Sequence, residues 1–326
     1  MALATPRAGA AAYAPCDNMI DYDPHRWWSY FHYLRGSMVR EIVARVLICV
    51  LWAVGVTAVH HHTKPLDIPA TVHTLAGISL SLLLVFRTNA SYDRFWEGRK
   101  LWGGIVNETR NLARASSVFM RRDAGLYGTL VRWISAFPYA AAASLRGERD
   151  LGPVASELPR DEADAVLGSQ HVPLAVSQKM SAVLDEGRLR GYYPEHVQMQ
   201  LDQNVQLLID YIGGCERIHK TPMPFAYMMH LRRALMVYCY TLPFALVDSF
   251  GWITVPATFV VAYVFFGIEE IGVEIEDPFG HDDNDLPLER ICETIHGNLK
   301  ALMPGSAEAI HAPVSVVAIP GGGQDA

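Results

Sequence analysis

The chain alternates between long apolar segments and long charged segments. Four apolar segments stand out, each of about the 20 residues that a helix needs to cross the hydrocarbon core of a bilayer. Short polar connections join the first to the second and the third to the fourth. The pattern therefore predicts an all-α, polytopic membrane protein with four transmembrane helices, arranged as two antiparallel hairpins. The four segments are residues 42–60, 66–86, 224–247 and 252–271.

The charged region between the two hairpins has its own helical pattern. Apolar residues recur at helical spacing over residues 102–145 and again over 178–218, where Leu201, Val205, Leu208 and Ile212 form one stripe. This favours a helical aqueous domain inserted between the membrane hairpins. The predicted divisions are a tail and interfacial segment (1–37), the first hairpin (38–101), the inserted domain (102–222), the second hairpin (223–273), an acidic loop and helix (274–302) and a disordered tail (303–326).

Charge placement predicts the orientation in the membrane. The two hairpin tips carry one basic residue between them, Lys64, whereas Arg and Lys residues are frequent beside the opposite ends of the spans. Basic residues stay on the cytoplasmic side, so both termini and the inserted domain are expected in the cytosol, with the spans in the cell membrane. The net charge of −7 argues against nucleic acid as a partner.

Residues with catalytic or redox potential do not form an enzyme signature. There is no nucleophile elbow, Walker loop or HExxH sequence. His73 is predicted near the outer end of the second span and His230 near the inner end of the third, so they cannot pair as haem ligands within one subunit. The three histidines at 60–62 are typical of a polar cap on the first span, although rings of histidine in an oligomer would be an alternative. Five cysteines lack CxxC spacing and are interpreted as isolated buried thiols: Cys16, Cys49, Cys215, Cys239 and Cys292.

The second apolar segment carries a stripe formed by Ile78, Leu82 and Phe86. Their spacing of four places them on one face of a helix. Most such stripes pack against neighbouring helices, and pore lining is the alternative; the pattern alone leaves both open.

The acidic stretch 269–287 combines oxygen ligands with turn-forming residues. Such a loop can bind Ca²⁺, but it lacks EF-hand spacing, and a solvated cap is the alternative.

Three stretches of the sequence resemble the bestrophin family, most closely its bacterial and plastid branch. The resemblance covers about residues 19–302. The stretches are FRTNASYDRFWEGRKLWGGIVNETRN (86–111), PFAY (224–227) and IEEIGVEIEDPFGHDDNDLPLERICETI (268–295).

This resemblance implies a homopentamer around a central pore that extends into the cytosol. It places a hydrophobic neck at Ile78, Leu82 and Phe86, by matching Arg94, Phe95 and Trp96 to the family's Arg-aromatic-Trp sequence. It also implies a second, cytosolic constriction near Glu195, His196 and Val197. The Ca²⁺ clasp of animal members would correspond to four acidic residues of the 274–285 loop, which differs from theirs in detail: Glu274, Asp277, Asp282 and Asp285.

The predicted function is passive conduction of small monovalent ions, with the lipid bilayer and further copies of the chain as partners and no required cofactor. Chloride or other anions follow from the resemblance, whereas the net acidity and Glu195 favour a cation channel of the same fold. A membrane scaffold without transport and a membrane metalloenzyme are the alternatives from other classes.

Overall fold

A computed structural model describes residues 38–63 and 68–303. Residues 1–37, 64–67 and 304–326 lie outside the described residues, and with them the predictions for Cys16, for Lys64 and for the two terminal tails. Within them, all regular secondary structure is helical. The nine α-helices are α1 (Val39–His62), α2 (Ala70–Phe119), α3 (Ala124–Leu145), α4 (Arg160–Leu167), α5 (Val172–Leu189), α6 (Glu195–Lys220), α7 (Phe225–Phe250), α8 (Thr254–Glu274) and α9 (Leu288–Ala301).

The apolar helices α1, α7 and α8 pack with the first half of α2 in one bundle. Near one end of the bundle, the indole Nε1 of Trp52 donates to the carbonyl of Tyr240 at 2.9 Å, and His73 hydrogen-bonds to Thr241. Near the other end, Arg45 pairs with Glu270 at 2.6 Å. These contacts require α1 and α7 to run in one direction and α2 and α8 in the other, as two antiparallel hairpins do.

Three helical segments are long and apolar enough to cross a membrane among the described residues: Val39–His62, Ala70–Phe119 and Phe225–Glu274. The third divides into α7 and α8 at a short 3₁₀ turn that begins at Gly251, whose φ is +52°. Residues other than glycine rarely adopt a positive φ, so a glycine at position 251 suits the sharp reversal between the two helices. The four apolar stretches of the sequence thus coincide with four helical runs.

Helix α2 is 50 residues long, or about 75 Å at 1.5 Å per residue. A bilayer core accounts for only about 30 Å of this length. The helix therefore continues from the apolar bundle into the helical domain, and the predicted boundary at residue 101 falls inside it.

The inserted domain is built around α3, which is buried along nearly its whole length and packs against α2, α5 and α9. The predicted stripe of α6 is buried in the same core. The predicted helical region 178–218 is interrupted after Leu189, because Gly191 has a φ of +77° and Pro194 precedes the first turn of α6. The positive φ of Gly191 ends α5, and Pro194 precedes the start of α6, where its missing N–H costs no helical hydrogen bond. Two helices therefore form instead of one.

The acidic loop between α8 and α9 is fixed to the inserted domain. Phe279 is buried in the domain core, and Arg146 at the end of α3 donates to the carbonyls of Phe279 and Gly280. The same guanidinium pairs with Glu289 in the first turn of α9. The loop therefore attaches the end of α8, the last helix of the apolar bundle, to the helical domain.

Candidate functional site: the exposed face of α2

Helix α2 has two sharply different faces within the apolar bundle. Leu80 and Leu84 are 6% and 1% exposed and pack in a core with residues of α1, α7 and α8. The three predicted neck residues lie on the opposite side: Ile78 is 64% exposed, Leu82 is 55% exposed and Phe86 is 58% exposed. The stripe therefore does not pack against the part of its own chain that the structure describes.

Small residues bring α7 close to α2 beside this stripe. The hydroxyl of Tyr238 lies 2.7 Å from where a Cβ on Gly77 would be, and its ring packs on His73 with centroids 5.3 Å apart. Any larger residue at Gly77 would collide with Tyr238. The position of Ile78, the next residue, thus depends directly on the packing of α7.

Polar residues continue the exposed face of α2 at both ends of the stripe. Thr71 lies seven residues before Ile78, and Asn89 lies seven residues after Leu82. Seven residues are nearly two helical turns, so Thr71 lies on the same face of α2 as Ile78, and Asn89 on the same face as Leu82. Asp93 follows on the same side, and all three are exposed. An apolar centre with polar ends is the pattern expected of a helix that lines a water-filled passage with a narrow middle.

The end of the stripe at Phe86 is anchored by a buried charge. Arg87, whose side chain is fully buried, pairs with Glu276 at 3.0 Å, while its Nε and Nη1 find no hydrogen-bond partner among the described residues. Glu276 also accepts a hydrogen bond from the backbone N–H of Met223, at the turn before α7. One carboxylate therefore connects α2, the start of α7 and the acidic loop.

Arg94 makes a second anchor less than two turns further along α2. Its guanidinium donates to three backbone carbonyls, those of Ile218, Thr221 and Glu276, at 2.7, 2.6 and 3.1 Å. These carbonyls belong to the end of α6, the turn after it and the acidic loop. The arginine of the Arg-aromatic-Trp sequence thus fixes the angle between α2 and α6.

The predicted cytosolic constriction is only partly on the surface. Glu195 and His196 are exposed at the start of α6, but Val197 is 8% exposed and packs in the domain core. Only the first two can face a passage. His196 also borders an open surface cavity of about 510 Å³, whose other walls are Met199, Gln200, Asp202, Gln203 and Gln206.

Glu274 is the last residue of α8, and the other three candidate Ca²⁺ ligands lie in the acidic loop that follows it. Glu274 accepts a hydrogen bond from Asn284, and Asp277 lies 3.3 Å from His219. Asp285 accepts from the backbone N–H of Asp282; burial, together with the nearby charges of Asp282 and Asp277, raises its pKa to about 7.

No three His, Cys, Asp or Glu side chains are grouped as metal ligands within residues 38–63 and 68–303. The Ca²⁺ site stays a prediction.

One feature of the apolar bundle was not predicted. Glu269, 3% exposed at its side chain, is held between Arg232 at 2.9 Å and Arg45 at 3.6 Å. The contact of Arg45 with Glu269 joins α1 to α8, which are far apart in the sequence, so spacing along the chain gives no signal for it. The cysteines of the described residues are buried free thiols, as predicted: Cys49, Cys215, Cys239 and Cys292.

Comparison with known proteins agrees with the resemblance noted in the sequence. The sequence model of the bacterial and fungal bestrophins matches residues 19–301. A protein of Nostoc sp. named as a voltage-dependent anion channel-forming protein is 40% identical over 85% of this chain and 91% of its own. An Escherichia coli K12 protein of the same descriptive name is 30% identical over 86% and 93% of the two chains.

Solved structures of bacterial bestrophin homologues are similar in fold to this chain. A crystal structure of a bacterial bestrophin homologue from Klebsiella pneumoniae superimposes with a TM-score of 0.77 at 29% identity, covering 80% of this chain and 98% of that chain. A point variant of a bestrophin homologue from the same organism gives a TM-score of 0.76 at 29% identity, over 79% and 97%. The family predicted from the sequence is confirmed, and the chain belongs to the bacterial and fungal bestrophin family of membrane channel proteins rather than to any class of enzyme.

Proposed function

We propose that this chain forms a homopentameric anion channel in the cell membrane. The descriptive names of the relatives, which specify anion channel formation, support the choice of anions. The proposed subunit has four transmembrane helices, α1, the first half of α2, α7 and α8, with both termini in the cytosol. The observation that carries the proposal is the exposed apolar stripe of α2, which residues 38–63 and 68–303 leave uncovered.

In the proposed assembly, the stripes of identical copies face a shared axis. Ile78, Leu82 and Phe86 then form three successive apolar rings. One helical turn of about 6 Å separates neighbouring rings, so the neck is about 12 Å long. The polar residues Thr71 and Asn89 line its two mouths.

The neck would control conduction by controlling water. A narrow apolar constriction resists a continuous water column, and an ion crosses only when the neck is wide enough to be wetted. For this control, the protein must hold the side chains of Ile78, Leu82 and Phe86 at a fixed distance from the axis. Tyr238 against Gly77 and Arg87 with Glu276 support α2 above and below the neck.

Ion sign is tested by the reversal potential. Purified protein in planar bilayers, with a tenfold KCl gradient, should give a reversal potential close to the chloride equilibrium value. A value close to the potassium equilibrium value would instead support the cation channel. The apolar neck carries no charge, so the sign of selectivity must come from charged groups outside it.

Assembly and transport are tested together. Native mass spectrometry of the purified protein should give five copies of the 36.2 kDa chain, and liposomes containing it should release chloride when a counter-ion pathway is supplied. A stable oligomer that passes neither anions nor cations would support the scaffold and reject the channel.

A further inference from the structure

The face of α2 that carries the stripe stays exposed far beyond the apolar bundle. Seven residues are nearly two helical turns, so residues at this interval lie on one face of a helix. The opposite face of α2 is buried in the core of the helical domain. Arg114 lies about 42 Å beyond Phe86 at 1.5 Å per residue, so the exposed face reaches deep into this domain. Four exposed residues follow Phe86 at intervals of seven: Asp93, Lys100, Asn107 and Arg114.

This extension of the face is basic. Lys100 and Arg114 lie on it, and Arg110, which is also exposed, lies one helical turn before Arg114. None of these three side chains forms an ion pair with another residue that the structure describes. By contrast, the buried Arg87 of the same helix is paired with Glu276. In a chain of net charge −7, three unpaired cations along one face are a local reversal of sign.

The acidic residues of α2 oppose these cations only at the start of the basic region. Asp93 is exposed on the same face, seven residues before Lys100. Glu97 is neutralised by Arg217 of α6 at 2.8 Å, and Glu108 is half-buried. The exposed face therefore changes from acidic beside the stripe to basic further into the helical domain.

Helix α6 flanks this face and offsets only part of its charge. Tyr211 of α6 packs directly on Gly104 of α2. Asp202 is turned to another side of α6, where its carboxylate accepts a hydrogen bond from Ser181 of α5. Asp210, one residue before the contact with α2, is exposed. One such carboxylate does not balance three cations, so the face keeps a positive charge.

We propose that Lys100, Arg110 and Arg114, here called the basic row, gather small monovalent anions in front of the neck and set the preference for anions over cations. The inference rests on the proposed function, because the row lines a passage only where the exposed face of α2 lines one. Each cation is then repeated around the axis, and like charges on low-dielectric walls raise the local concentration of counter-ions. The ammonium and guanidinium groups stay solvated, so they attract chloride without holding it too tightly for conduction.

Distances along α2 favour an effect on ion concentration over an effect on the neck itself. Lys100 is fourteen residues beyond Phe86, or about 21 Å along the helix. The field of exposed charges falls off over about 8 Å at physiological salt, so the row acts on ions in the passage. Asp93 lies halfway between the two and opposes the row. Asp93→Asn should therefore raise the anion preference, and added salt should weaken it.

The local charge is tested by thiol chemistry that does not depend on ion flux. Asn107→Cys places a thiol midway between Lys100 and Arg114, in full-length protein that also carries Cys16→Ser. The native cysteines of the described residues are at most 2% exposed, so they do not compete for reagent. The purified protein is treated with an anionic or a cationic methanethiosulfonate, and the modification rate is followed by the mass of the intact chain.

The measured quantity is the ratio of the anionic to the cationic modification rate. Adding Lys100→Gln and Arg114→Gln to the Asn107→Cys protein should lower this ratio about threefold or more, because the positive potential that attracts the anionic reagent is removed. High salt should lower the ratio in the same direction. The reactivity of the thiol itself cancels, since both reagents react with the same thiolate. An equal ratio with and without the two cations would overturn the inference.

The effect on selectivity is measured in planar bilayers with a KCl gradient. Lys100→Glu together with Arg114→Glu should move the reversal potential from the chloride towards the potassium equilibrium value, and more at low than at high salt. Arg160→Gln removes a cation from α4, whose neighbouring α-helix in the described part of the chain is α5, and should leave the potential unchanged. An unchanged potential in the double variant rejects the role of the row in selectivity. If the unmodified protein passes no anions, the proposed function fails, and the charge of the row is judged by the thiol ratio alone.

Discussion

The guanidinium of Arg87 lies 3.0 Å from the carboxylate of Glu276 inside the protein, while the side chain of the preceding residue, Phe86, is 58% exposed on the other side of α2. Two neighbours in the sequence thus belong to different environments. The buried ion pair fixes the rotation of α2 about its axis, and this rotation determines where the last ring of the proposed neck points.

Removing one partner of this pair should destabilise the protein strongly. Arg87→Met leaves Glu276 unpaired, and Glu276→Gln leaves the buried guanidinium without its counter-charge. Each should lower the free energy of unfolding by about 3 kcal/mol, because an uncompensated charge remains buried. The double variant should lose much less than the sum of the two, which thermal unfolding in detergent can measure.

Additive losses in that double-mutant cycle would contradict the pairing. Arg217→Met serves as a control, since its ion pair with Glu97 at 2.8 Å is largely exposed. Surface pairs contribute only about 0 to 1 kcal/mol, so this variant should unfold close to the unmodified protein.

Gly98 is a further contact between the acidic loop and α2. A Cβ there would lie 2.9 Å from the ring of Phe279 and 3.0 Å from Pro278. Because Phe279 is buried in the domain core, Gly98→Ala should cost about 1 to 3 kcal/mol, as overpacking of a core does. Chemical denaturation in detergent measures the loss.

Gly103 on the same helix provides the matched control. A Cβ there has only the tip of the Arg99 side chain nearby, at 3.6 Å. Since alanine is the better helix former, Gly103→Ala should be neutral or stabilise by up to about 1 kcal/mol. Equal effects of the two substitutions would show that the loop does not press on Gly98.

Asp123 should contribute to acid sensitivity. It caps α3 by accepting a hydrogen bond from the backbone N–H of Leu126; this bond, together with those from Tyr192 and Arg190, holds the pKa of the Asp123 carboxyl below its usual range. A depressed folded-state pKa means that the stabilisation is fully present above the ordinary aspartate pKa of about 4 and is lost as the pH falls through the folded-state pKa.

Asp123→Asn keeps a capping side chain but removes this titration. Its unfolding temperature should be lower than that of the unmodified protein at neutral pH, and the two should converge as the pH falls below about 4. Asp164→Asn, at an exposed position of α4, is the control. A constant difference between Asp123→Asn and the unmodified protein at every pH would refute the role.

Much of the fold follows from periodicity. The four apolar stretches correspond to helices because their length and uniform hydrophobicity leave no alternative in a bilayer, and the stripe of Leu201, Val205, Leu208 and Ile212 is buried as its spacing predicts. The continuity of α2 was not predicted, because the composition changes from apolar to charged near Arg87 while the helix does not end there.

The site was only partly accessible from the sequence. Helical spacing identifies Ile78, Leu82 and Phe86 as one face, but only the structure reveals that the other described residues leave this face exposed. The family resemblance placed Val197 in the cytosolic constriction with Glu195, but consecutive residues of a helix point in different directions, and Val197 is buried. The pair Arg87–Glu276 joins distant segments, so no local pattern predicts it.

The central claim is that the stripe of α2 faces an axis shared by identical copies, and single-channel recording of one variant tests it most directly. Changing Ile78, Leu82 and Phe86 together to Ala should widen the neck and raise the conductance several-fold. The same change at Leu47, Ile48 and Leu51, three exposed apolar residues of α1, should leave it unchanged. An unaltered conductance in the α2 variant, with both proteins correctly assembled, would contradict the claim.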